Sequence, residues 1–323
     1  MPTRYLITGG AGFIGSHLTE ALLAAGHSVT VLDDCSTGRI SNLSAVAGHD
    51  RLQIIRDNVS NERTVDIAVS QADVVFHLAS AVGVKLIVDQ PVQTIRTIIR
   101  GTETVLDAAY RYGRPVLLTS SSEVYGKSAR VPFSEDDDVT MGSTQHTRWC
   151  YAYAKGIDEF LGLAYHRQLG LPVTIVRLFN TVGPRQVGMY GMVLPRFVQA
   201  AVAGDPLLVY GDGTQSRCFC HVHDVVAALI KLMETPEARG QVFNLGSDEE
   251  ISIENLAKKV ITMANSPSHI ERLSYEAAYG QHFDDLPRRV PALEKIKQAI
   301  GFSRKHSLDS IIQSVIDEHR RAQ

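Results

Sequence analysis

RYLITGGAGFIGSHLTEALLAAGHSVTVLD, residues 4–33, is the stretch that decides the fold of this chain. A short apolar run at 5–8 predicts a strand, and the pattern G-x-x-G-x-x-G at 9–15 opens a helix with apolar residues at helical spacing. A second apolar run at 28–32 predicts a strand that ends at Asp33. Strand, glycine-rich turn, helix and second strand in this order are typical of a dinucleotide-binding unit.

The glycines and the acid each have a physical role in such a unit. Gly9 permits the tight turn, and Gly12 lets the backbone approach a pyrophosphate at the helix N-terminus. Gly15 lets the helix pack closely on the strand. Asp33 can accept hydrogen bonds from an adenosine ribose, whereas a 2′-phosphate there would be repelled. Because Asp34 follows rather than Arg or Lys, the sequence favours NAD over NADP.

Length, charge and composition exclude several classes of protein. The chain has 323 residues, enough for roughly two domains, and its formal charge of −3 gives no basic surface for nucleic acid or membrane. No apolar run approaches the roughly 20 residues of a spanning helix, and we expect no signal peptide. The cysteines lack the spacing of a disulfide framework, so we expect a cytoplasmic protein. They are Cys35, Cys150, Cys218 and Cys220.

One short run, Cys218-x-Cys220-His221-x-His223, has the composition of a metal site. It lies in an alternating stretch, 217–224, that predicts a strand, on which successive side chains point to opposite faces. Four ligands could not converge from one such run, and a zinc site would need a second group of ligands elsewhere. We therefore expect no metal.

Strands and helices alternate well beyond residue 33. This order predicts an α/β fold with a doubly wound parallel sheet (a Rossmann fold), which binds ligands at the carboxyl ends of its strands. The expected strands are 53–56, 73–78, 115–120 and 172–178, and the expected helices are 91–112 and 150–169.

The pattern changes after about residue 180, where glycine and proline become frequent and the helices shorten. We therefore expect a smaller, partly interleaved C-terminal substrate domain. Its boundaries would be about 179–221 plus 248–323, and those of the NAD-binding domain 1–178 plus about 222–247. The shorter helices are expected near 192–203, 222–234, 252–264 and 306–321.

The reacting groups are expected where the sheet ends. The strand at 115–120 runs into Ser-Ser-Glu at 121–123, and Tyr151 and Lys155 follow on a helix. Residues four apart share one helical face. An ammonium beside a phenol lowers the pKa of the phenol toward the range of a general base. Tyr151 and Lys155 therefore form the expected catalytic pair.

With these motifs the chain resembles the extended short-chain dehydrogenases/reductases, the superfamily of nucleotide-sugar epimerases, dehydratases and decarboxylases. Within it, the chain is most similar to the UDP-glucuronate decarboxylases. The matching motifs span nearly the whole chain: GGAGFIGSH, LDDCSTG, FHLAS, SSSEVYG, YAYAK, RLFNTVGPR, VYGDGTQSRCF and GFSRKHSLDSII. The decarboxylase likeness rests on SSSEVYG at 120–126, Arg-Trp-Cys-Tyr at 148–151, and the segment from Tyr279-Gly280 to Val290-Pro291.

The resemblance implies roles for the matching residues near the reacting sugar. Tyr151 would be the base, with Lys155 as its partner. Ser121 and Ser122 would contact the C4 oxygen and assist proton transfer. Glu123 would act at C5 and its carboxylate, together with Arg289.

The resemblance also implies NAD as cofactor and a UDP-sugar as substrate. Cofactor contacts would come from Gly9, Gly12, Phe13, Ile14, Gly15, Asp33, Asp34, Ser36, Thr37, Gly38, Asp57, Asn58, Leu78, Ala79, Ser80, Tyr151 and Lys155. Substrate contacts would come from Lys85, Asn180, Arg185, Val193, Tyr210, Arg217 and Arg289.

The sequence departs from the resembled pattern at three places. Ile98 stands where Asn is usual in Asn-x-x-Gly-Thr. Ser122 stands where 6-dehydratases usually carry an Asp that protonates the departing hydroxyl. Lys85 lies in a segment unlike that of typical decarboxylases, and its side chain could equally face the sugar or solvent.

A 4-keto intermediate makes C5 acidic and can lead to three reactions. A carboxylate at C5 leaves as CO₂, a hydroxyl at C6 is eliminated, or the ketone rotates and C4 is epimerised. Ser122 lacks the acid of the dehydratases, and plain 4-epimerases usually have no Glu at 123. The sequence therefore favours UDP-glucuronate decarboxylation, with 4-epimerisation of UDP-glucose or UDP-glucuronate as the alternative and NDP-glucose 4,6-dehydration less favoured.

Other interpretations are weaker. Glu123 could serve only as a hydrogen-bonding group in a polar pocket. A non-enzymatic dinucleotide sensor would typically have lost the Tyr151 and Lys155 pair, and a reductase that releases NAD(P) would demand external reductant.

The resembled family also implies a homodimer. Helices 91–112 and 150–169 would pair with their copies, and the apolar positions expected to face outward are Ile95, Val105, Leu161 and Ala164.

The acid that ends the second strand yields a first prediction. Asp33→Ala should weaken binding of NAD more than binding of NADP, because it removes the ribose acceptor and the charge that repels a 2′-phosphate. Calorimetry with both dinucleotides checks this. Wild-type protein that binds NADP at least as tightly as NAD would contradict it.

Overall fold

The computed structural model describes residues 2–81, 83–188, 192–279 and 286–321, without the side chains of 84–86 and 278–279. A seven-stranded parallel sheet forms its centre, with strand order β3-β2-β1-β4-β5-β6-β11. These strands are β1 (Arg4–Thr8), β2 (Ser28–Leu32), β3 (Leu52–Ile55), β4 (Val74–His77), β5 (Val116–Ser121), β6 (Val173–Leu178) and β11 (Val242–Leu245). The expected α/β fold is confirmed.

Helices cover both faces of this sheet, because neighbouring residues of each strand point to opposite sides. On β1, Ile7 belongs to a core shared with α1 and α7, whereas Leu6 belongs to a core shared with α2 and α4. The helices of the first half are α1 (Phe13–Ala24), α2 (Glu62–Gln71), α3 (Val84–Asp89), α4 (Pro91–Tyr112) and α5 (Cys150–Leu169). Those that follow are α6 (Val193–Ala203), α7 (Val222–Glu234), α8 (Ile253–Ala264), α9 (Tyr275–Tyr279), α10 (Glu294–Ile300) and α11 (Leu308–Arg321).

A separate hydrophobic core lies among α6, α8 and α11. Three two-stranded sheets accompany it: β10 with β7, β12 with β9, and β13 with β8. We propose that this core marks the substrate domain, since β11 and α7 belong instead to the central sheet and its packing. The strands are β7 (Thr181–Val182), β8 (Leu207–Tyr210), β9 (Ser216–Cys218), β10 (Cys220–His221), β12 (Glu250–Ser252) and β13 (Ile270–Leu273).

The approach of α1 to β1 depends on two glycines. Gly9 has a φ of 72°, in the left-handed region that favours glycine. A Cβ atom at Gly15 would lie 2.2 Å from the carbonyl oxygen of Gly9, so a larger residue would push the helix away. The turn thus brings the N-terminus of α1 against the carboxyl end of β1.

The expected helices at 91–112 and 150–169 coincide with α4 and α5, and the four expected strands agree with β3 to β6 within one residue. The strand expected over 217–224 is wrong in its second half, because α7 begins at Val222. His221 caps this helix: its Nδ1 accepts the backbone N–H of His223 at 3.2 Å. No helix among the described residues is both long and apolar enough to span a membrane.

Candidate active site

A cavity of about 690 Å³ opens at the carboxyl edge of the central sheet and extends to the second core. It brings together almost all residues that the sequence singled out. Those lining it are Gly9, Gly12, Phe13, Ile14, Gly15, Asp33, Asp34, Ser36, Thr37, Asp57, Leu78, Ala79, Ser80, Ser121, Ser122, Glu123, Tyr151, Lys155, Asn180, Arg185, Val193, Tyr210, Arg217 and Arg289.

Two of the expected cofactor residues lie behind the cavity wall. The Asn58 side chain donates to the Asp34 carboxylate at 2.7 Å and so orients an acid that does line the cavity. Gly38 packs against the backbone of Ala11 and Gly12, which leaves no room for a side chain there. Both residues therefore support the dinucleotide half of the cavity without forming its surface.

Asp33 is held by the backbone at the end of β2. One carboxylate oxygen accepts the N–H of Ala11 at 2.9 Å, and the other accepts that of Cys35 at 2.8 Å. Burial raises the pKa of Asp33, and these backbone N–H groups oppose that rise. The carboxylate is thus fixed in place while it still borders the cavity, as a ribose acceptor requires.

The dinucleotide half of the cavity fits NAD. The N-terminus of α1 offers backbone N–H groups to a pyrophosphate, and Gly12, its N-cap, has extended backbone geometry. The buried Ser80 hydroxyl lines the cavity and has no hydrogen-bond partner among the described residues. These groups, with Asp33 and Asp34, would hold the dinucleotide.

Tyr151 is buried at the start of α5, next to the end of β5. A hydrogen bond with Ser121 favours its ionised form, but burial and the charges of Glu123 and Asp158 raise its pKa well above the usual range. The direction of this net shift is opposite to the lowering that the sequence predicted from Lys155. An additional positive charge at Tyr151 would be needed to ionise it near neutral pH.

The Lys155 ammonium is held by two neighbouring oxygen atoms. Its Nζ atom donates to the carbonyl oxygen of Thr119 at 3.0 Å and to the Asp158 carboxylate at 3.3 Å. Both members of this ion pair are buried. The charge of Asp158 raises the pKa of Tyr151, in the direction opposite to that expected from an ammonium.

Glu123 lies between two arginines at the end of β5. Its carboxylate is 2.8 Å from Nη2 of Arg289 and 3.3 Å from Nη2 of Arg148. Burial opposes ionisation of Glu123, but the charges of Arg289, Arg148 and Arg217 outweigh it and lower its pKa to about 2. Glu123 is therefore a carboxylate at neutral pH and cannot act as a proton donor in this state.

The arginines give this end of the cavity a net positive charge. Arg289 Nε is buried and has no hydrogen-bond partner among the described residues. Arg217 Nη1 donates to the carbonyl oxygens of Ser216 and Leu286, at 2.7 and 2.8 Å, which holds its guanidinium beside the others. Such a cluster suits an anionic group of a ligand, since guanidinium groups bind carboxylates and phosphates through paired hydrogen bonds.

The far end of the cavity lies near the second core. Tyr210 stacks against the Arg196 guanidinium, 4.1 Å from its ring centre, and its hydroxyl accepts a hydrogen bond from the same group. Asn180 donates to the carbonyl oxygen of Cys218 at 2.9 Å. These contacts order the surface on which a nucleotide would lie.

Arg185 lines the cavity, but its guanidinium is directed to α1. It contacts the Ser16 hydroxyl at 3.1 Å, the Asn42 carbonyl at 3.0 Å and the Glu20 carboxylate at 2.7 Å. This geometry favours a role in joining the loop after β7 to α1 over direct contact with a sugar.

Two sequence features fall outside the described part of the chain. Lys85 lies on α3, but its side chain is not among those described, so both of its expected roles stay open. Residues 280–285, in the third decarboxylase match, are also outside it.

The other tyrosines near the site are engaged elsewhere. The Tyr125 hydroxyl donates to Asn244 at 2.7 Å, and the Tyr153 hydroxyl donates to the carbonyl oxygen of Gly142 at 3.2 Å. Ile98, where the resemblance leads one to expect Asn, is fully buried beside Tyr151 in a small apolar cluster. It offers no polar group to the catalytic pair.

The cysteine and histidine run does not form the site that its composition suggests. Ring nitrogens of His221, His223 and His306 lie within 4.8 Å of one another. However, His221 Nδ1 accepts an N–H, so Nε2 of the neutral ring carries the proton and cannot ligate a metal. The His221 and His306 rings also stack, 22° from parallel, so their lone pairs do not converge. We propose no metal ion here.

Sequence reasoning missed several residues that line the cavity or touch the catalytic pair. Arg148 was noted only as part of a motif, although its charge reaches Glu123. Asp158 lies three residues after Lys155 on α5, and this spacing could have indicated the ion pair. No sequence signal marked Arg196, Gln215 and Tyr275, which line the cavity.

Known proteins are similar to this chain over nearly its whole length. Residues 5–246 match the NAD dependent epimerase/dehydratase family. The chain is 42% identical over 321 residues to a UDP-N-acetyl-alpha-D-glucosaminuronate decarboxylase of Bacillus cytotoxicus, covering 99% of this chain and 98% of that protein. It is 36% identical over 318 residues to UDP-glucuronic acid decarboxylase 1 of Xenopus tropicalis, covering 98% of this chain and 72% of that protein.

Its structure is also similar to that of a UDP-glucuronic acid 4-epimerase from Bacillus cereus, solved with UDP-glucuronic acid and NAD. The TM-score is 0.89 at 26% identity, and the match covers 99% of this chain and 100% of the other.

The position of Tyr151 yields a second prediction. Tyr151→Phe should lower turnover of the substrate by about two to four orders of magnitude, because the phenol that accepts the proton is lost. Binding of NAD, measured by calorimetry, should persist, since most of the dinucleotide half is untouched. Near-normal turnover in this variant would rule out Tyr151 as the base.

Proposed function

The chain belongs to the NAD dependent epimerase/dehydratase family, and on this basis we propose that it is a decarboxylase of a UDP-hexuronate. The observation that carries the proposal is the cluster at the end of β5, where Glu123 lies between Arg289 and Arg148 beside Tyr151. In this cluster the arginines can bind an anionic group of the substrate, and Tyr151 can act beside them as the base. The likeness to two decarboxylases, one at 42% identity, supports the same reaction.

The reaction begins with removal of a proton and a hydride at C4. Tyr151, once ionised, takes the O4 proton as a phenolate, assisted by Ser121, with which it shares a hydrogen bond. NAD, when bound, supplies the hydride acceptor. The product is a 4-keto sugar whose C5 carries the carboxylate.

Loss of CO₂ follows from the chemistry of a β-keto acid. The C5–C6 bond breaks, its electron pair passes to the C4 carbonyl oxygen as an enolate, and C6 leaves as CO₂. A proton from solvent is then added at C5, the hydride that C4 gave up is returned to it, and O4 regains its proton from Tyr151.

Arg289 would place the carboxylate that leaves. Because Glu123 already occupies one edge of this guanidinium, the substrate carboxylate can share it only partly, through groups such as the buried Nε. A weakened ion pair favours departure, since an ion pair that is too strong would stabilise the ground state. The ionised Glu123 also repels a neighbouring carboxylate, a role its low pKa favours over delivery of a proton to C5.

Two UDP-hexuronates are candidates, and they differ at C2. The decarboxylase of Bacillus cytotoxicus is named for an N-acetylated uronate, and that of Xenopus tropicalis for UDP-glucuronate. The higher identity favours the N-acetylated substrate, whereas the sequence motifs alone pointed to UDP-glucuronate. C4 epimerisation of a UDP-hexuronate is the alternative reaction, favoured by likeness to the Bacillus cereus epimerase.

We further propose a cytoplasmic homodimer formed through α4 and α5. Two of the four positions expected to face outward do not, because Val105 is fully buried and Leu161 packs into the core below. Exposed apolar side chains on these helices are instead Val92, Ile95, Tyr110, Tyr153, Ile157, Phe160 and Leu169. Exposed apolar side chains in this number suggest that a second copy of the chain covers this face of α4 and α5.

Incubation with single substrates tests the proposed reaction. Purified protein should convert UDP-glucuronate or UDP-N-acetylglucosaminuronate to a product lighter by CO₂, measured by mass spectrometry. A product of unchanged mass that is the C4 epimer of the substrate would show that the reaction is epimerisation and not decarboxylation. Loss of water from a UDP- or dTDP-glucose would instead show dehydration.

The Glu123 and Arg289 pair yields a third prediction. Glu123→Gln should strongly slow CO₂ release while C4 oxidation stays measurable, because the repelling charge is lost. Arg289→Ala should raise the apparent KM for the uronate more than that for UDP-glucose. Glu62→Gln, an exposed carboxylate at the start of α2, is the control and should behave as wild type. Equal effects of Arg289→Ala on both substrates would contradict a carboxylate-binding role.

The exposed faces of α4 and α5 yield a fourth prediction. Ile157→Asp should turn a dimer into a monomer in light scattering, because it places a charge in the proposed interface. Ile67→Asp is a matched control, since Ile67 on α2 and Ile157 are each 47% exposed, and it should remain dimeric. A wild-type monomer at micromolar concentration would contradict the proposed dimer.

A further inference from the structure

A buried ion pair on α5 lies directly beside the catalytic tyrosine. Lys155 and Asp158 are three residues apart, and their side chains are 3% and 5% exposed. Nζ of Lys155 is 3.3 Å from the carboxylate and 3.0 Å from the Thr119 carbonyl oxygen at the end of β5. The ammonium is thus fixed between its own helix and the strand that carries the reacting groups.

Such a pair is not explained by stability alone. Removing two charges from water is costly, and a buried ion pair often contributes no more to folding than apolar residues of similar volume. Ile98 and Ala154 pack with Tyr151 in one small apolar cluster beside the pair, and Thr102 forms a side-chain hydrogen bond with Asp158. A charged pair kept at this position therefore calls for a role in the reaction.

The position of the pair suggests that role. The Asp158 charge acts on Tyr151 and disfavours its ionised form, in the direction opposite to Lys155. Without Asp158, the ammonium would favour loss of a proton from the phenol.

We propose that Asp158 is a positioning residue, which holds Lys155 at the end of β5 and offsets its charge, and thereby sets the pH at which Tyr151 ionises. The proposal rests on the role of Tyr151 as base, which decarboxylation and epimerisation share.

Other titratable groups near Tyr151 are either ion-paired or neutral. From the end of β5, Glu123 faces it, paired with Arg289 and Arg148. On β4, His77 is buried and neutral, since burial lowers its pKa to about 3. Elsewhere around α5, Glu159 pairs with Arg177 of β6 at 2.8 Å.

Removal of the Asp158 charge should therefore act mainly on the catalytic pair. The Tyr151 phenol should then lose its proton at lower pH, because the negative charge that opposes its ionisation is gone. The Tyr151–Lys155 ion pair is then formed at a pH where the wild-type site still holds a neutral phenol.

Tyrosinate absorbance tests this without any substrate. Subtracting the ultraviolet titration of Tyr151→Phe from that of wild type isolates the titration of Tyr151. In the same way, the curve of a variant with both Asp158→Asn and Tyr151→Phe is subtracted from that of Asp158→Asn. The Tyr151 titration of Asp158→Asn should lie about one pH unit or more below that of wild type. Asp309→Asn, which removes an exposed carboxylate of α11, is the control and should leave the curve unchanged.

Turnover provides the second readout. The acid limb of kcat/KM should move to lower pH in Asp158→Asn, and Asp158→Glu, which keeps the charge, should return it toward wild type. Coincident titrations of Tyr151 in wild type and Asp158→Asn would overturn the proposal. If Asp158→Asn does not fold, Asp158→Ser replaces it. Failure of both neutral variants to fold, while Asp158→Glu folds, would assign Asp158 to stability and also overturn it.

The absorbance titration separates this inference from the proposed function. A lowered Tyr151 titration with no CO₂ from any uronate would support the role of Asp158 and refute decarboxylation. An unchanged Tyr151 titration in a protein that releases CO₂ would refute the role of Asp158 and support decarboxylation.

Discussion

The close approach of α1 to β1 is the constraint on which the rest of the structure depends. A side chain at Gly15 would collide with the carbonyl oxygen of Gly9, so only glycine lets the helix leave the strand at this angle. The approach directs the N–H groups of α1 to the carboxyl edge of the sheet. The ends of β4 and β5 and the start of α5 meet at the same edge, so the cofactor half and the reacting groups share one cavity.

Buried charges in this cavity lie beside groups of opposite charge. Lys155 pairs with Asp158, Glu123 with two arginines, and Glu159 with Arg177 just behind β5. Each group satisfies a charge that would otherwise be costly to bury. For Tyr151, burial and the charges of Glu123 and Asp158 raise its pKa and so favour the neutral phenol.

Sequence reasoning succeeded where one physical signal dominates. Apolar periodicity placed α4 and α5 with correct bounds, since long amphipathic helices leave a clear pattern. It failed where short patterns are ambiguous: the alternation at 217–224 predicted a strand, but His221 caps a helix there. It also placed Val105 and Leu161 on the outer face, although both pack inward, because periodicity shows that a face is apolar and not what covers it.

The sequence by itself determined the strand, glycine turn and helix of the dinucleotide-binding unit, and it singled out Asp33, Tyr151 and Lys155, which line one cavity. These features are local, because each depends on residues a few positions apart on one turn or helix. The tertiary structure decided the electrostatics of the site. Glu123 is ionised because Arg289, distant in sequence, lies 2.8 Å from it. Lys155 pairs with Asp158 in a position where folding has buried both side chains. Spacing along a chain names the charged groups, but only folding fixes their distances and removes the water that would screen them.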